Sequence, residues 1–178
     1  MPEQRRLVVY YSRSGTTRKV AEAFSQALNC ETDEIIEAKG REGLFGYMRS
    51  VVEARRKRPS LIAPTKRDPS SYDLVIVGTP VWAWSVSSPV RAYLMATKGR
   101  LPDVAFFCTL GGAGSASAFT QMQGIAGKTP RALCAITAGE VSSGSYRECV
   151  SEFAKALEPS PSATNISSDH DRRRRAAG

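Results

Sequence analysis

The sequence predicts an α/β chain: a three-layer α/β/α sandwich on a five-stranded parallel sheet of order 2-1-3-4-5. Two observations predict the class. Short apolar, β-branched runs alternate with stretches of helical spacing, the signature of a parallel sheet covered by helices. The segment "DLVIVGTP", residues 73–80, is apolar almost throughout, as a central strand buried on both faces requires. Unusual loop chemistry falls after strands one, three and four, which are neighbours if the strand order is 2-1-3-4-5.

Taken in order, strand one runs from Arg6 to Tyr11 and its helix from Thr17 to Leu28. "ETDEIIEA", residues 31–38, reads as a more polar strand suited to a sheet edge. "GLFGYMRSVVEARRK", residues 43–57, reads as a helix whose apolar stripe is Phe45, Met48, Val51 and Val52. "PSLIAPTKRDPSSY", residues 59–72, holds three prolines and no sustained period, so it is a surface loop. The central strand follows. "SSPVRAYLMAT" opens with hydroxyls before a proline, a helix-start signal. "DVAFFCTLGG" is strand four, "SASAFTQMQGIAG" a helix, "RALCAITAG" strand five and "SYRECVSEFAKAL" the closing helix. From Glu158 onward Ser, Pro and charge dominate and little remains to bury. Residues 1–157 therefore read as one domain and 158–178 as a disordered basic tail.

Composition narrows the function classes. The chain has 178 residues, 42% of them hydrophobic, which suits one domain with a full core. Its apolar runs are strand-length, far below the ~20 residues of a membrane span, and its N-terminus lacks a secretory pattern. A cytoplasmic protein is expected. The four cysteines, Cys30, Cys108, Cys134 and Cys149, make neither a C-x-x-C nor a zinc pattern and are expected to be ordinary reduced thiols. The single histidine, His170, lies in the tail, which argues against a histidine triad or a histidine metal site. The formal charge is +8. Part of it is the Arg172 to Arg175 run, which reads as a solvated tail rather than a nucleic-acid contact. "ARRKRP", residues 54–59, reads as a solvated helix end.

Chemistry concentrates in three strand-to-helix turns. The first, Ser12-Arg13-Ser14-Gly15-Thr16-Thr17, carries four hydroxyls in six residues. A helix N-terminus needs one such residue as a cap. The surplus donors, the unpaired amides and Gly15 suit a phosphate. The lysine of a G-x-x-x-x-G-K-[ST] loop and the glycines of G-x-G-x-x-G are absent, which favours a monophosphate. The second turn, Gly78 to Pro89, follows the central strand with Trp82 and Trp84, the only tryptophans. A tryptophan can anchor a loop by packing, but two flanking Ala83 at the carboxyl end of this strand favour a stacking wall for a flat aromatic ligand. The third, Thr109 to Phe119, holds Gly111, Gly112 and Gly114, which let backbone amides turn toward a ring edge. A phosphate cradle, an aromatic wall and a backbone-lined loop together describe a flat heteroaromatic monophosphate, with FMN the candidate.

Across Leu7 to Leu157 the chain resembles the flavodoxin family. "YYSRSGTTRKVAEAF" is similar to its phosphate loop and first helix, and "VIVGTPVWAWSVSSPVRAYL" to its second flavin loop and following helix. The resemblance implies Ser12, Ser14, Gly15, Thr16 and Thr17 around the FMN phosphate, with Arg13 contributing its backbone amide. It implies Thr79, Pro80, Val81, Trp82, Ala83 and Trp84 along the isoalloxazine and ribityl chain. Thr109, Leu110, Gly111, Gly112 and Gly114 would approach the pyrimidine end. With no long insertion near strand five, the short-chain type is implied. The third loop lacks the Tyr or Trp that often stacks on the outer flavin face, and the chain is basic where electron carriers of this family are acidic.

Two functional classes follow. The first is an FMN-binding redox protein in which the flavin carries the chemistry, since the loops hold no strong candidate for a side-chain nucleophile or general base. Its partner is either a redox protein or a small planar oxidant such as a quinone, in the manner of a quinone reductase or a flavodoxin-like protoporphyrinogen oxidase, with NAD(P)H as an open choice of donor. The second is a cofactor-free interaction module whose basic surface binds an acidic partner or nucleic acid. Catalytic side chains and a metal are expected in neither.

Overall fold

The computed structural model describes residues 4–38 and 60–158. Among the described residues five parallel strands form the sheet: β1 (Arg6–Tyr10), β2 (Glu31–Glu34), β3 (Leu74–Trp82), β5 (Asp103–Leu110) and β6 (Leu133–Thr137). Their spatial order is β2-β1-β3-β5-β6, and the two-residue β4 (Ser85–Val86) pairs antiparallel with the end of β3. Set β4 aside and this is the 2-1-3-4-5 order predicted. The helices are α1 (Thr16–Leu28), α2 (Ser88–Thr97), α3 (Ser115–Ala126), α4 (Ala138–Ser143) and α5 (Tyr146–Leu157). Among the described residues no helix is long and apolar enough to cross a membrane.

The apolar runs are continuous because each strand faces two helical layers. In β1, Val8 and Tyr10 join a cluster with Phe24 of α1, Ile76, Phe107, Ile136 and Phe153 of α5. The alternate residues Leu7 and Val9 join the opposite cluster with Val75, Val77, Phe106, Val90 and Leu94 of α2, and Met122 of α3. Strand periodicity of two sends neighbouring side chains to opposite faces, so a strand sandwiched between layers must be apolar at every position. Each fully buried side chain of this kind contributes about 1.5–3 kcal/mol.

Several boundaries differ from the sequence reading. Strand three runs two residues further, to Trp82, because β4 folds back on it. The loop from Ser60 to Asp73 contains a short 3-10 turn at Pro69–Ser71 and a single bridge between Glu37 and Ile62. The helix expected over residues 43–57 and most of the tail lie outside the described residues. Helix α4 was not expected. The cysteine expectation is corrected: Cys134 on β6 and Cys149 on α5 are joined in a disulfide, with Cα atoms 6.7 Å apart. The packing of α5 on the sheet brings them together, which spacing in the sequence does not reveal. Cys30 and Cys108 are free, their thiols pushed up by burial to about 11 and about 12.

Candidate functional site

Beyond the carboxyl ends of β1, β3 and β5 lies a cavity of about 440 Å³ lined by Arg13, Ser14, Thr16, Thr17, Pro80, Val81, Trp82, Thr109, Leu110, Gly111 and Ala138. Its size falls within the range of small-molecule sites.

The first wall is the turn into α1. Gly15 sits at φ 91°, so the chain enters the helix through a left-handed residue. Ser12 Oγ accepts from the amides of Gly15, at 3.2 Å, and Arg18, at 3.1 Å. The capping role is thereby taken by one hydroxyl, and it is the one that does not line the cavity. Thr16 and Thr17, at the first two helical positions, have no preceding helical carbonyl for their amides to reach. Ser14 Oγ and Thr16 Oγ1 lie 3.3 Å apart on the exposed rim. Thr17 Oγ1 pairs with Thr109 Oγ1 at 2.8 Å in the buried floor, tying the first wall to the third. The amides and the positive end of a 13-residue helix make this end of the cavity suited to an anion.

The second wall is a hairpin. Val81 pairs with Val86 and Trp82 with Ser85, leaving Ala83 and Trp84 as a two-residue turn at φ 48° and 55°. Such turns need positive φ at both positions and ordinarily use Asn and Gly. With Ala and Trp there, the left-handed backbone costs about 1–2 kcal/mol per residue. Trp82 lines the cavity and meets Tyr11 edge to face, ring centroids 6.0 Å apart. Trp84 is 64% exposed and lies outside the cavity lining, so the two tryptophans do not share one wall. Thr79 is fully buried. Its hydroxyl donates toward the Pro80 carbonyl and Ser87 Oγ and accepts from the Ser87 amide, which closes the base of the hairpin.

The third wall is the loop after β5. Thr109, Leu110 and Gly111 reach the cavity, whereas Gly112 and Gly114 do not. Gly114, at φ 104°, instead packs on the hairpin: a Cβ there would stand 2.8 Å from Trp84 Cα. The structure thus brings together Arg13, Ser14, Thr16, Thr17, Pro80, Val81, Trp82, Thr109, Leu110 and Gly111. It places Ser12, Gly15, Thr79, Ala83, Trp84, Gly112 and Gly114 in the supporting turns.

Ala138, from the junction of β6 and α4, was missed, although the rule that ligands sit beyond strand carboxyl ends applies equally to β6. Thr137 and Glu140 fix that junction with a capping box. The Thr137 amide and hydroxyl both donate to Glu140 Oε2 at 2.7 Å, and Thr137 Oγ1 accepts from the Glu140 amide at 3.2 Å. These bonds hold the Glu140 carboxyl below its ordinary value. Near the rim Arg18 pairs with Glu34 at 2.7 Å.

A doubly wound sheet with an anion-binding turn and an aromatic wall at its switch point defines a nucleotide- or flavin-type binding fold. The chain belongs to the flavodoxin family: the family model described as Flavodoxin matches residues 5–137. No curated protein matches it. Among solved structures it is similar to a flavoprotein from Lactobacillus acidophilus NCFM in complex with FMN, at 25% identity and TM-score 0.67, covering 80% of this chain and 99% of that one. It is also similar in fold to a flavodoxin, WrbA-like protein from Agrobacterium tumefaciens, at 16% identity and TM-score 0.52, covering 85% and 96%.

Proposed function

We propose that this protein binds FMN in the cavity between the Ser12–Thr17 turn, the Val81–Trp82 wall and the Thr109–Gly111 loop, and passes electrons to a small planar oxidant such as a quinone. The observation that carries the reading is the pairing of unclaimed α1 amides at one end of the cavity with one aromatic ring, Trp82, along its side. Those features match a monophosphate and a flat heterocycle respectively. The similarity to a flavoprotein in complex with FMN supports the same cofactor.

Bound FMN would supply one- and two-electron redox chemistry. The side chains bind and orient. Ser14, Thr16 and Thr17 offer hydroxyl and amide donors to the phosphate, with the α1 dipole favouring its charge. Trp82 is braced by Tyr11 and so presents a fixed apolar face. Leu110 and Gly111 offer a wall of small profile. The stretch from Thr109 to Gly114 carries no aromatic ring and Trp84 stands outside the cavity. Support for a small planar substrate rather than a docked protein comes from this: one aromatic wall leaves space for a second flat molecule.

The test is a visible spectrum of the purified protein after FMN is added and excess removed, followed by quinone reduction with NAD(P)H as donor. Retained flavin absorbance and quinone turnover are expected. A colourless protein overturns the cofactor and favours the cofactor-free interaction module. Retained flavin that, once reduced by dithionite, is not reoxidised by quinone overturns the substrate class and leaves one-electron exchange with a protein.

A further inference from the structure

Helix α2 carries a cation deep in the fold. Arg91 is 6% exposed, has no carboxylate partner among the described residues, and burial pulls its guanidinium below the usual arginine range. Its Nη2 donates to Ser85 Oγ at 3.2 Å and to Gln121 Oε1 at 2.6 Å. Ser85 Oγ donates to that same Oε1 at 2.7 Å. A carboxamide has an acceptor end and a donor end, and a cation and a hydroxyl proton both demand the oxygen. The NH2 end is thereby turned the other way, toward the Trp84 carbonyl at 3.2 Å and Ser117 Oγ at 3.1 Å.

We infer that Arg91, acting through Ser85 and Gln121, is a positioning residue that locks the left-handed Ala83–Trp84 turn and so fixes the Val81–Trp82 wall of the cavity. The inference rests on the FMN reading for what that wall holds. Two non-glycine residues at positive φ persist only where their surroundings over-determine them. Here Gln121 holds the turn's carbonyl from one position on α3, and the backbone of Gly114, at the start of the same helix, lies so near the turn that an added Cβ would stand 2.8 Å from Trp84 Cα. Because Trp82 pairs with Ser85 and Val81 with Val86, a change at the tip is carried into the two residues that line the cavity. Arginine suits the task because its guanidinium keeps its charge when buried and carries Nη2 to both oxygens, whereas a buried lysine ammonium readily loses its proton.

A purely structural account is that Gln121 and Ser85 merely solvate a buried charge. Gln121→Glu separates the two. A carboxylate gives Arg91 a stronger partner but leaves the Trp84 carbonyl without a donor. Under the structural account the thermal midpoint holds or rises and FMN affinity is unchanged. The positioning role predicts a retained midpoint with FMN binding weakened about tenfold, the value of one hydrogen bond. It also predicts lower Trp84 fluorescence anisotropy in a Trp82→Phe background, measured without flavin. Unchanged affinity and anisotropy would overturn the inference. Arg91→Lys, expected to move both readings the same way, decides the matter if Gln121→Glu fails to fold. The anisotropy needs no flavin, so a wild-type protein that ignores FMN would sink the cofactor reading while the clamp is still judged on Trp84.

Discussion

Gly111 and Gly114 share a loop and differ in what a methyl group would meet. At Gly111 a Cβ enters open space on the cavity wall. At Gly114 the backbone is left-handed and the Cβ would stand 2.8 Å from both Trp84 Cα and its Cδ1. The expected outcome is that Gly114→Ala lowers unfolding free energy by about 2–4 kcal/mol, combining backbone strain with overpacking. Gly111→Ala should leave stability nearly unchanged and act on FMN affinity alone. Urea midpoints for the two variants check the contrast, and equal midpoints would refute it. The sequence announced a special loop through its glycines, but not which glycine faces the ligand. That division depends on Trp84, a contact set by tertiary packing. Ser12 is a similar case: four hydroxyls advertised a surplus of donors, and the structure shows which one is consumed as the cap. Arg91 was invisible for a stronger reason, because arginine in a helical pattern reads as solvent-facing unless burial is known.

Elements were legible in proportion to the strength of their local signal. The central strand and the helix after "SSP" appeared where expected because burial on two faces and a proline start are local facts. The β3–β4 hairpin was not legible, since its turn is Ala-Trp where a sequence signal would be Asn-Gly. Helix α4 did have a signal, the Thr137-x-x-Glu140 spacing of a capping box, hidden by its six-residue length. That box carries a pH dependence. The Glu140 carboxyl binds its proton less readily in the folded state than at its ordinary value of 4.5. The box therefore contributes fully above about pH 4.5 and is lost as pH falls through the depressed folded value. Glu140→Gln keeps a hydrogen-bonding group of similar shape without that titration. Wild type should lose more stability than the variant as pH falls from about 5 to 3, followed by denaturant unfolding at each pH. Parallel profiles would show that the box does not stabilise the β6–α4 junction.

At the scale of the whole molecule, the +8 charge is unevenly placed. Residues 39–59 hold Lys39, Arg41, Arg49, Arg55, Arg56, Lys57 and Arg58 against Glu42 and Glu53, and the tail adds Arg172 to Arg175. The described sheet and helices are close to balanced, and the proposed phosphate end offers amides, hydroxyls and a helix dipole, with Arg13 the cation among the residues lining the cavity. A ligand seated there would touch turns from β1, β3, β5 and β6 together, and no part of that site survives unfolding. Binding should thus stabilise the whole fold by mass action, about 2.7 kcal/mol at a hundredfold excess over Kd. For a chain of this size that raises the thermal midpoint by about 5–10 °C. Riboflavin offers the same ring without the phosphate, and leaves the Thr16 and Thr17 amides and the Ser14 hydroxyl unengaged. The expected result of thermal unfolding at equal ligand concentration is a clear shift with FMN and a much smaller one with riboflavin. Equal shifts would mean that the aromatic wall binds and the hydroxyl-rich turn does not, which would return Ser14, Thr16 and Thr17 to the role of an elaborate helix start.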